Sequence, residues 1–332
     1  MEEPLHVAFA CDEAYVPFTA VSLWSLMEHH HGPAPVRAHV LDDAISENSR
    51  SQMKQLEKHF PLLELHFHPL PEAVRSLPVT EKYPSPAVYA RVFLPEILPE
   101  APRILYLDGD TLVLGEWASL YHSELGGHAF AARSERGFAP LRQHNRRLKR
   151  PRDADYFNAG VLLIDSARWR SEGLTERLMA LVRARGPFDF PEQDALNILA
   201  QGEFCPLQPR WNRFDYRNFH PDRPEETRIV HFVYQKPWKA FSEKLEASLA
   251  RTPENIWPKL PRRWGCYYLT HLFWQTALQT PFAEEFQVLR EAAKRVRPLK
   301  GISPLHRLSC IERFFRKTIR DPLRQYLGTK GP

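Results

Sequence analysis

The stretch RILYLDGDTLVLGEW, residues 103–117, decides how this chain is read. Arg103 to Leu107 has the apolar run of a buried strand. It ends on two aspartates, Asp108 and Asp110, with only Gly109 between them, and apolar residues resume at Leu112, Val113 and Leu114. Two carboxylates held this close at a strand end repel each other unless a cation neutralises them. A hard divalent ion such as Mn²⁺ or Mg²⁺ takes oxygen ligands and meets that demand. The small Gly109 lets both side chains approach one ion. A strand-end turn with solvated acids accounts for the same tripeptide, so the surrounding sequence has to decide.

Upstream, LHVAFACD (5–12) and VRAHVLDD (36–43) predict buried strands, and LELHFHPL (63–70) alternates as a third. Between them, VPFTAVSLWSLMEHH (16–30) and SENSRSQMKQLEKHF (46–60) predict helices, the second with Ser46 as N-cap and Glu47 in its first turn. PAVYARVFLPEIL (86–98) predicts a helix before the strand at 103. This alternation predicts an α/β fold, a mostly parallel mixed sheet flanked by helices. In such sheets ligands sit beyond the carboxyl ends of the strands, where Asp12 and Asp108 lie. Downstream, YFNAGVLLIDSARWR (156–170) holds another buried strand, PEQDALNILAQ (191–201) opens a helix on two acids and an amide, and TRIVHFVYQKPW (227–238) reads as a strand running into a Lys-Pro-Trp turn. Pro253, Pro258 and Pro261 mark a boundary. The expected division is one large domain over 1–255 and a helical, basic extension over 256–332.

The composition is that of a globular protein, 43% hydrophobic over 332 residues. Its four cysteines are widely spaced and form no CxxC pair, which argues against a structural zinc site or a disulfide framework and fits a reducing cytosol. The N-terminus does not read as a secretory signal, and no window of about 20 apolar residues could span a bilayer. The net charge of +5 is uneven: twelve Lys/Arg against three acids follow from residue 290, so the tail is +9 and residues 1–289 are −4. Within the tail, LHRLSCIERFFRKTIR (305–320) carries an apolar stripe at 305, 308, 311, 315 and 319 with arginines and a lysine on the other faces. A basic amphipathic helix of this kind reads as a membrane-surface element; a terminal helix packed on the body with a solvated basic face fits the same pattern. The aromatic-rich segment 261–278 is compatible with a core, an acceptor face or a membrane face. With the positive charge confined to the tail and no recognisable motif, no nucleic-acid partner is expected.

YLDGDTLVLGEWASLY, followed by YFNAGVLLIDSARW and EQDALN, resembles glycosyltransferase family 8. These are retaining enzymes of the GT-A fold, among them glycogenin and bacterial lipopolysaccharide galactosyl- and glucosyltransferases. VAFACDEAY, VLDDAIS and PAVYARVFLPEILP extend the resemblance in the same order, over roughly residues 5–240. It implies that the 1–255 domain is catalytic, that Asp108, Gly109 and Asp110 form the DxD motif, and that both carboxylates and His231 bind Mn²⁺ or Mg²⁺ and, through it, the diphosphate of a UDP-sugar. It further implies that Ala10 and Asp12 hold the uracil with Tyr15 packing near it, and that Arg91, Asn158 and Ala159 approach the donor sugar. Glu192 and Gln193 would stand beside the anomeric carbon, and Lys236 would face the diphosphate, which makes these three the implied catalytic residues. Taken singly, Asp12 also reads as a helix-cap acid, Arg91 as a solvated charge, His231 as a structural histidine and Gln193 as a first-turn polar residue.

One departure concerns the last motif. The family often reads H-x-x-G-x-x-K-P-W, whereas this chain has HFVYQKPW, with Tyr234 in place of the glycine and Lys236 five residues after His231 rather than six. The resemblance implies a cytoplasmic enzyme, held peripherally on the inner face of the cytoplasmic membrane through residues 290–330. It would move glucose or galactose from a UDP-sugar to a hydroxyl of a lipopolysaccharide or related, lipid-linked glycan. The altered loop keeps open a nucleotide-sugar-binding protein with little transfer, and the tail a membrane scaffold for glycan synthesis.

Overall fold

In the computed structural model the described residues are 2–135, 141–214, 219, 226–233, 236–239 and 265–295. Their strands are β1 (Leu5–Asp12), β2 (Val36–Asp43), β3 (Leu63–Pro69), β4 (Arg103–Leu107), β5 (Thr111–Val113), β6 (Phe130–Ser134), β7 (Phe157–Asp165), β8 (Cys205–Pro206) and β9 (Ile229–His231). Seven of them form one sheet in the order β3-β2-β1-β4-β7-β6-β8, and β5 pairs with β9 apart from it. β3, β2, β1 and β4 run parallel, β7 runs antiparallel to β4 and to β6, and β8 returns parallel to β6. The mostly parallel mixed sheet expected from the strand–helix alternation is therefore present. β1, β2, β4 and β7 are buried almost throughout, as strands covered on both faces must be. The edge strand β3 alternates at its start, with Leu63 and Leu65 buried and Glu64 and His66 exposed.

β1 and β4 are neighbours, but the chain leaves β1 toward β2 and arrives at β4 only after β3. That reversal opens a crevice at their carboxyl ends, the position where open α/β sheets bind ligands. The helix Val16–Glu28 closes one side. It is buried nearly all round, and Thr19, Ser22 and Ser25 are buried with its apolar residues.

Three local expectations change. The 46–60 helix is two, Glu47–Met53 and Gln55–His59, with Ser46 Oγ capping Ser49 N at 3.2 Å. Residues 86–98 form 3₁₀ turns over Pro86–Phe93 and one α turn over Leu94–Ile97 rather than a continuous helix. Pro95 has no N–H to give an α-helical bond, so the chain restarts there. The strand read at the start of 227–238 is only the three residues of β9, and it pairs with β5 apart from the main sheet.

The chain packs as two compact units, Met1–Phe214 with Arg223–His231, and Asp215–Asp222 with Phe232–Pro332. In the second, the helices Gly265–Ala277 and Ala283–Arg295 bring Phe273, Trp274 and Phe286 together at ring separations of 5.9–6.0 Å. Trp238 of the Lys-Pro-Trp turn packs on Phe273 at 5.4 Å. The aromatic residues Phe273 and Trp274 of the 261–278 segment are thus core of this unit. No helix among the described residues is long and apolar enough to cross a membrane. The 255/256 division and the amphipathic 305–320 segment lie outside the described residues.

Candidate active site

The Asp-Gly-Asp turn is fixed from three sides. Asp108 N donates to Gly160 O of β7 at 2.8 Å, and Thr111 N donates back to Asp108 O at 3.1 Å, closing the turn. The Thr111 hydroxyl meets Ser22 Oγ at 2.6 Å, and Val113 N donates to Ser25 Oγ at 3.0 Å, so the buried hydroxyls of the first helix hold β5. A Cβ on Gly109 would collide with the Thr19 hydroxyl. Gly109 is therefore small because the helix packs against it, not because the turn needs special backbone freedom. β5 pairs antiparallel with β9 so that Thr111 faces His231, which brings the histidine beside Asp110.

Asp108, Asp110 and His231 each direct one ligand atom into a space in which all three lie within 4.8 Å of one another. His231 Nε2 is 3.1 Å from Asp110 Oδ1 and 3.4 Å from Asp108 Oδ2. On the opposite ring edge, Nδ1 is 3.2 Å from both Asn158 Oδ1 and Asn212 Oδ1. Asn158 Oδ1 also accepts from Gly160 N at 3.0 Å and Asn212 Nδ2 at 2.9 Å, which fixes its orientation as an acceptor. Nδ1 is therefore a donor, and Nε2 is the ring nitrogen that faces the two carboxylates. Two carboxylates and one imidazole nitrogen make a donor set that Mn²⁺ or Mg²⁺ fits. The hydrogen-bonded far nitrogen is the usual companion of a ligating histidine. The space also depends on Gly160, where a Cβ would overlap the His231 ring and stand 2.6 Å from Asp108 Oδ2.

Arg91 is only 7% exposed, so it is not a solvated charge. One guanidinium nitrogen lies 2.8 Å from Asp108 Oδ1 and 3.3 Å from Glu192 Oε1, and the other donates to Ala159 O at 2.7 Å. The group stands over the Tyr106 ring at 4.5 Å, and the Tyr106 hydroxyl donates to Asp108 Oδ1 at 2.8 Å. Burial pushes the Asp108 carboxyl up, but Arg91, His231 and the Tyr106 hydroxyl outweigh it and hold the group well below the usual carboxylate range. Glu192 goes the other way: burial raises it, and Arg91 offsets that only in part. One guanidinium thus serves two carboxylates of unequal acidity, Glu192 buried and Asp108 half-buried.

Helix Pro191–Ala200 is stitched to β7 by side-chain amides. Asn197 accepts from Phe157 N and donates to Phe157 O, each at 2.9 Å. Gln193 Oε1 accepts from Ala159 N at 2.9 Å, and its Nε2 donates to the Tyr156 hydroxyl at 3.0 Å. Tyr156 in turn donates to Asp194 Oδ1 at 2.6 Å, and His144 Nε2 meets the same oxygen at 2.6 Å. Asn158 Nδ2 reaches Glu135 Oε1 at 3.3 Å; burial raises the Glu135 carboxyl.

Asp108, Asp110, Arg91, Asn158, Ala159, Glu192, Gln193 and His231 thus form one connected site. Ala10 is half-buried near the end of β1. Asp12 follows it and caps the next turn, accepting from Tyr15 N at 3.1 Å. Tyr15 is 37% exposed, with its ring 5.5 Å from Phe18. Lys236 belongs to the second unit, its amine 6.0 Å from the Trp238 ring; Tyr234 and Gln235 are outside the described residues. Sequence reasoning passed over Tyr106, Gly160, Asn212 and the Tyr156–Asp194–His144 chain. Tyr106, Tyr156, Gly160 and Asp194 stand within the motifs quoted above, although none of them was given a role there.

The description "Glycosyl transferase family 8" matches residues 6–242. The chain is 26% identical over 265 residues to general stress protein A of Bacillus subtilis, covering 72% of this chain and 89% of that protein. It is 25% identical over 256 residues to lipopolysaccharide 1,2-glucosyltransferase of Escherichia coli, covering 71% and 73%. Among solved structures it resembles the galactosyltransferase LgtC in complex with donor and acceptor sugar analogs, with a TM-score of 0.57, 25% identity, and coverage of 77% of this chain and all of that one. The sheet is that of the GT-A glycosyltransferases. Since the match takes in all nine strands but for one residue of β1, and every residue of the connected site, the chain is a glycosyltransferase and belongs to glycosyl transferase family 8.

Proposed function

We propose that this enzyme moves glucose or galactose from a UDP-sugar to a hydroxyl of a lipopolysaccharide or related cell-surface glycan, with retention and with Mn²⁺ or Mg²⁺ as cofactor. The observation that carries the reading is the convergence of Asp108, Asp110 and His231 beside the Arg91–Glu192 pair. A relative named as a lipopolysaccharide glucosyltransferase and a solved galactosyltransferase support the sugar and acceptor class. Asp108, Asp110 and His231 would hold the ion, which when bound supplies positive charge against the departing diphosphate.

The chain's own residues do the remaining work. Arg91 fixes Asp108 and Glu192 at the floor of the crevice and, with Asn158, presents donors and acceptors to the donor sugar. Gln193 is a neutral amide whose two ends are already engaged by Ala159 N and Tyr156. It therefore orients the anomeric centre rather than attacking it, which favours same-face transfer without a stable covalent intermediate. Ala10, Asp12 and Tyr15 are assigned to the uracil, and Lys236 to the diphosphate, where an ammonium would stabilise growing negative charge. The basic segment 290–330 would hold the enzyme on the inner face of the cytoplasmic membrane, at about 1 kcal/mol per basic residue near anionic headgroups.

The test is UDP release from UDP-glucose, UDP-galactose and their N-acetyl forms, with Mn²⁺ or with EDTA. Release from one donor, lost with EDTA and in Asp110→Asn, is the expected result. Failure to bind UDP in the presence of Mn²⁺ would sink the reading.

A further inference from the structure

The segment Leu141–Arg152 carries six Lys or Arg residues and no acid. Arg142, Arg146, Arg147, Lys149 and Arg152 are exposed. Arg142 pairs with Asp153 at 3.1 Å and Arg147 with Asp189 at 3.6 Å, but both pairs are mostly exposed, a setting in which ion pairs contribute little. Arg146, Lys149 and Arg152 make no ion pair among the described residues.

This is a built surface rather than a loose charged loop. Asn145 is fully buried; its Nδ2 donates to Arg152 O at 3.3 Å and Ala154 O at 2.8 Å, and its Oδ1 accepts from Arg150 at 2.6 Å. The sixth cation, Arg150, points inward and also donates to Asp155 O at 2.6 Å. Lys149 adopts φ 58° just past the helix Leu141–Arg147, the left-handed turn that commonly ends a helix. The backbone that carries Arg146, Lys149 and Arg152 is thus anchored from within, and it presents these like charges to solvent from one short segment.

The surface stands next to the reacting end of the site. His144 meets Asp194, and its ring lies 5.6 Å from Phe190. Lys82, another exposed cation, has its amine 4.1 Å from the same Phe190 ring. Phe190 immediately precedes the helix that carries Glu192 and Gln193. The donor's diphosphate is already assigned to the metal ligands and Lys236, so these cations are left for a different anion.

We propose that the acceptor is an acidic saccharide, bearing carboxylate or phosphate groups, and that Arg146, Lys149, Arg152 and Lys82 bind those groups; this rests on the transferase reading above. Charge complementarity of this kind selects a partner and speeds its approach, and it weakens as salt rises.

The experiment measures binding of tetragalacturonate, of phosphorylated maltotetraose and of neutral maltotetraose to the full chain with UDP and Mn²⁺, at 50 and 300 mM NaCl. At low salt at least one acidic probe binds about tenfold or more tighter than the neutral one, the gap narrows at high salt, and the two acidic probes distinguish carboxylate from phosphate. The combined Arg146→Glu, Lys149→Glu and Arg152→Glu variant, checked for folding by circular dichroism, loses the gap. Equal binding, no binding of any probe, or a gap that survives in the variant overturns the proposal. UDP binding on the same samples tests the transferase reading separately: UDP bound without any acidic preference removes only the acceptor inference, whereas acidic preference without UDP binding removes the transferase reading and the acceptor role with it.

Discussion

The Tyr156 hydroxyl stands 3.0 Å from Gln193 Nε2 and fixes which way that amide points. It has a single proton, which goes to Asp194 Oδ1, so it can only accept from Gln193. The Gln193 carbonyl is thereby turned to Ala159 N–H and the donor side of the site. Tyr156→Phe removes the acceptor and frees the amide to rotate. Losing one buried hydrogen bond of this kind costs about 1–3 kcal/mol, so kcat should fall roughly ten- to hundredfold. The KM for the donor should hardly change, because no group binding the nucleotide is touched. Steady-state kinetics decide: a raised donor KM with unchanged kcat would show that Tyr156 acts on binding and not on positioning.

Gly160→Ala should empty the ion site without unfolding the sheet. The added methyl falls on the His231 ring and beside Asp108, and Gly160 is held in place by its bonds to Asp108 N and Asn158 Oδ1. The histidine must swing away from the two carboxylates. Mn²⁺ affinity, measured by titration calorimetry, should drop by about tenfold or more, in the range seen when the partners of ligating residues are lost. Unchanged affinity would mean that the ion is held without His231.

How much of this was legible in the sequence varied with the range of the interaction. The strands ending at Asp12 and Asp108 were legible because a doubly covered strand must be a continuous apolar run. The aspartate pair was legible because two acids one residue apart need a reason. His231 could be placed only through the family resemblance, since β9 is three residues long and its pairing with β5 spans more than a hundred residues. The 86–98 segment misled because helical spacing of apolar residues outweighed Pro86 and Pro95 in the reading. The Tyr156–Asp194–His144 chain left no local trace, since Asp194 lies 38 residues from Tyr156 and 50 from His144.

Arg91→Met should destabilise the apo enzyme and make it dependent on metal. The substitution leaves the buried Glu192 and the half-buried Asp108 without their shared cation. Breaking a buried ion pair from one side costs about 3–5 kcal/mol. A divalent ion between Asp108 and Asp110 would restore part of the missing charge. Thermal melts with Mn²⁺ and with EDTA should therefore differ more for the variant than for the parent enzyme. A variant as stable as the parent in EDTA would contradict the role given to Arg91 as the internal counter-charge.

The last prediction concerns acid stability and lies away from the site. His39 Nε2 meets His6 Nδ1 at 3.0 Å and His39 Nδ1 meets His68 Nε2 at 3.0 Å, a row of imidazoles across β1, β2 and β3. Each ring can donate once and accept once only while all are neutral. Burial, reinforced by the neighbouring imidazoles and Arg37, pushes His39 down to about 2; burial lowers His6 and His68 as well. In the unfolded chain His39 titrates near 6.5. Its folded pKa is thus depressed, and because this group is neutral when deprotonated, the unfolded chain binds the proton first. The stability it confers is complete above pH 6.5 and is lost progressively as pH falls from there toward 2. At pH 5 the loss from His39 alone amounts to about 2 kcal/mol. His39→Gln keeps a donor and an acceptor in the row but cannot take up a proton. Urea unfolding at pH 7.5, 6 and 5 should show a shallower fall for this variant than for the parent, by about one proton's slope. Parallel curves would mean that His6 and His68, not His39, set the acid limb.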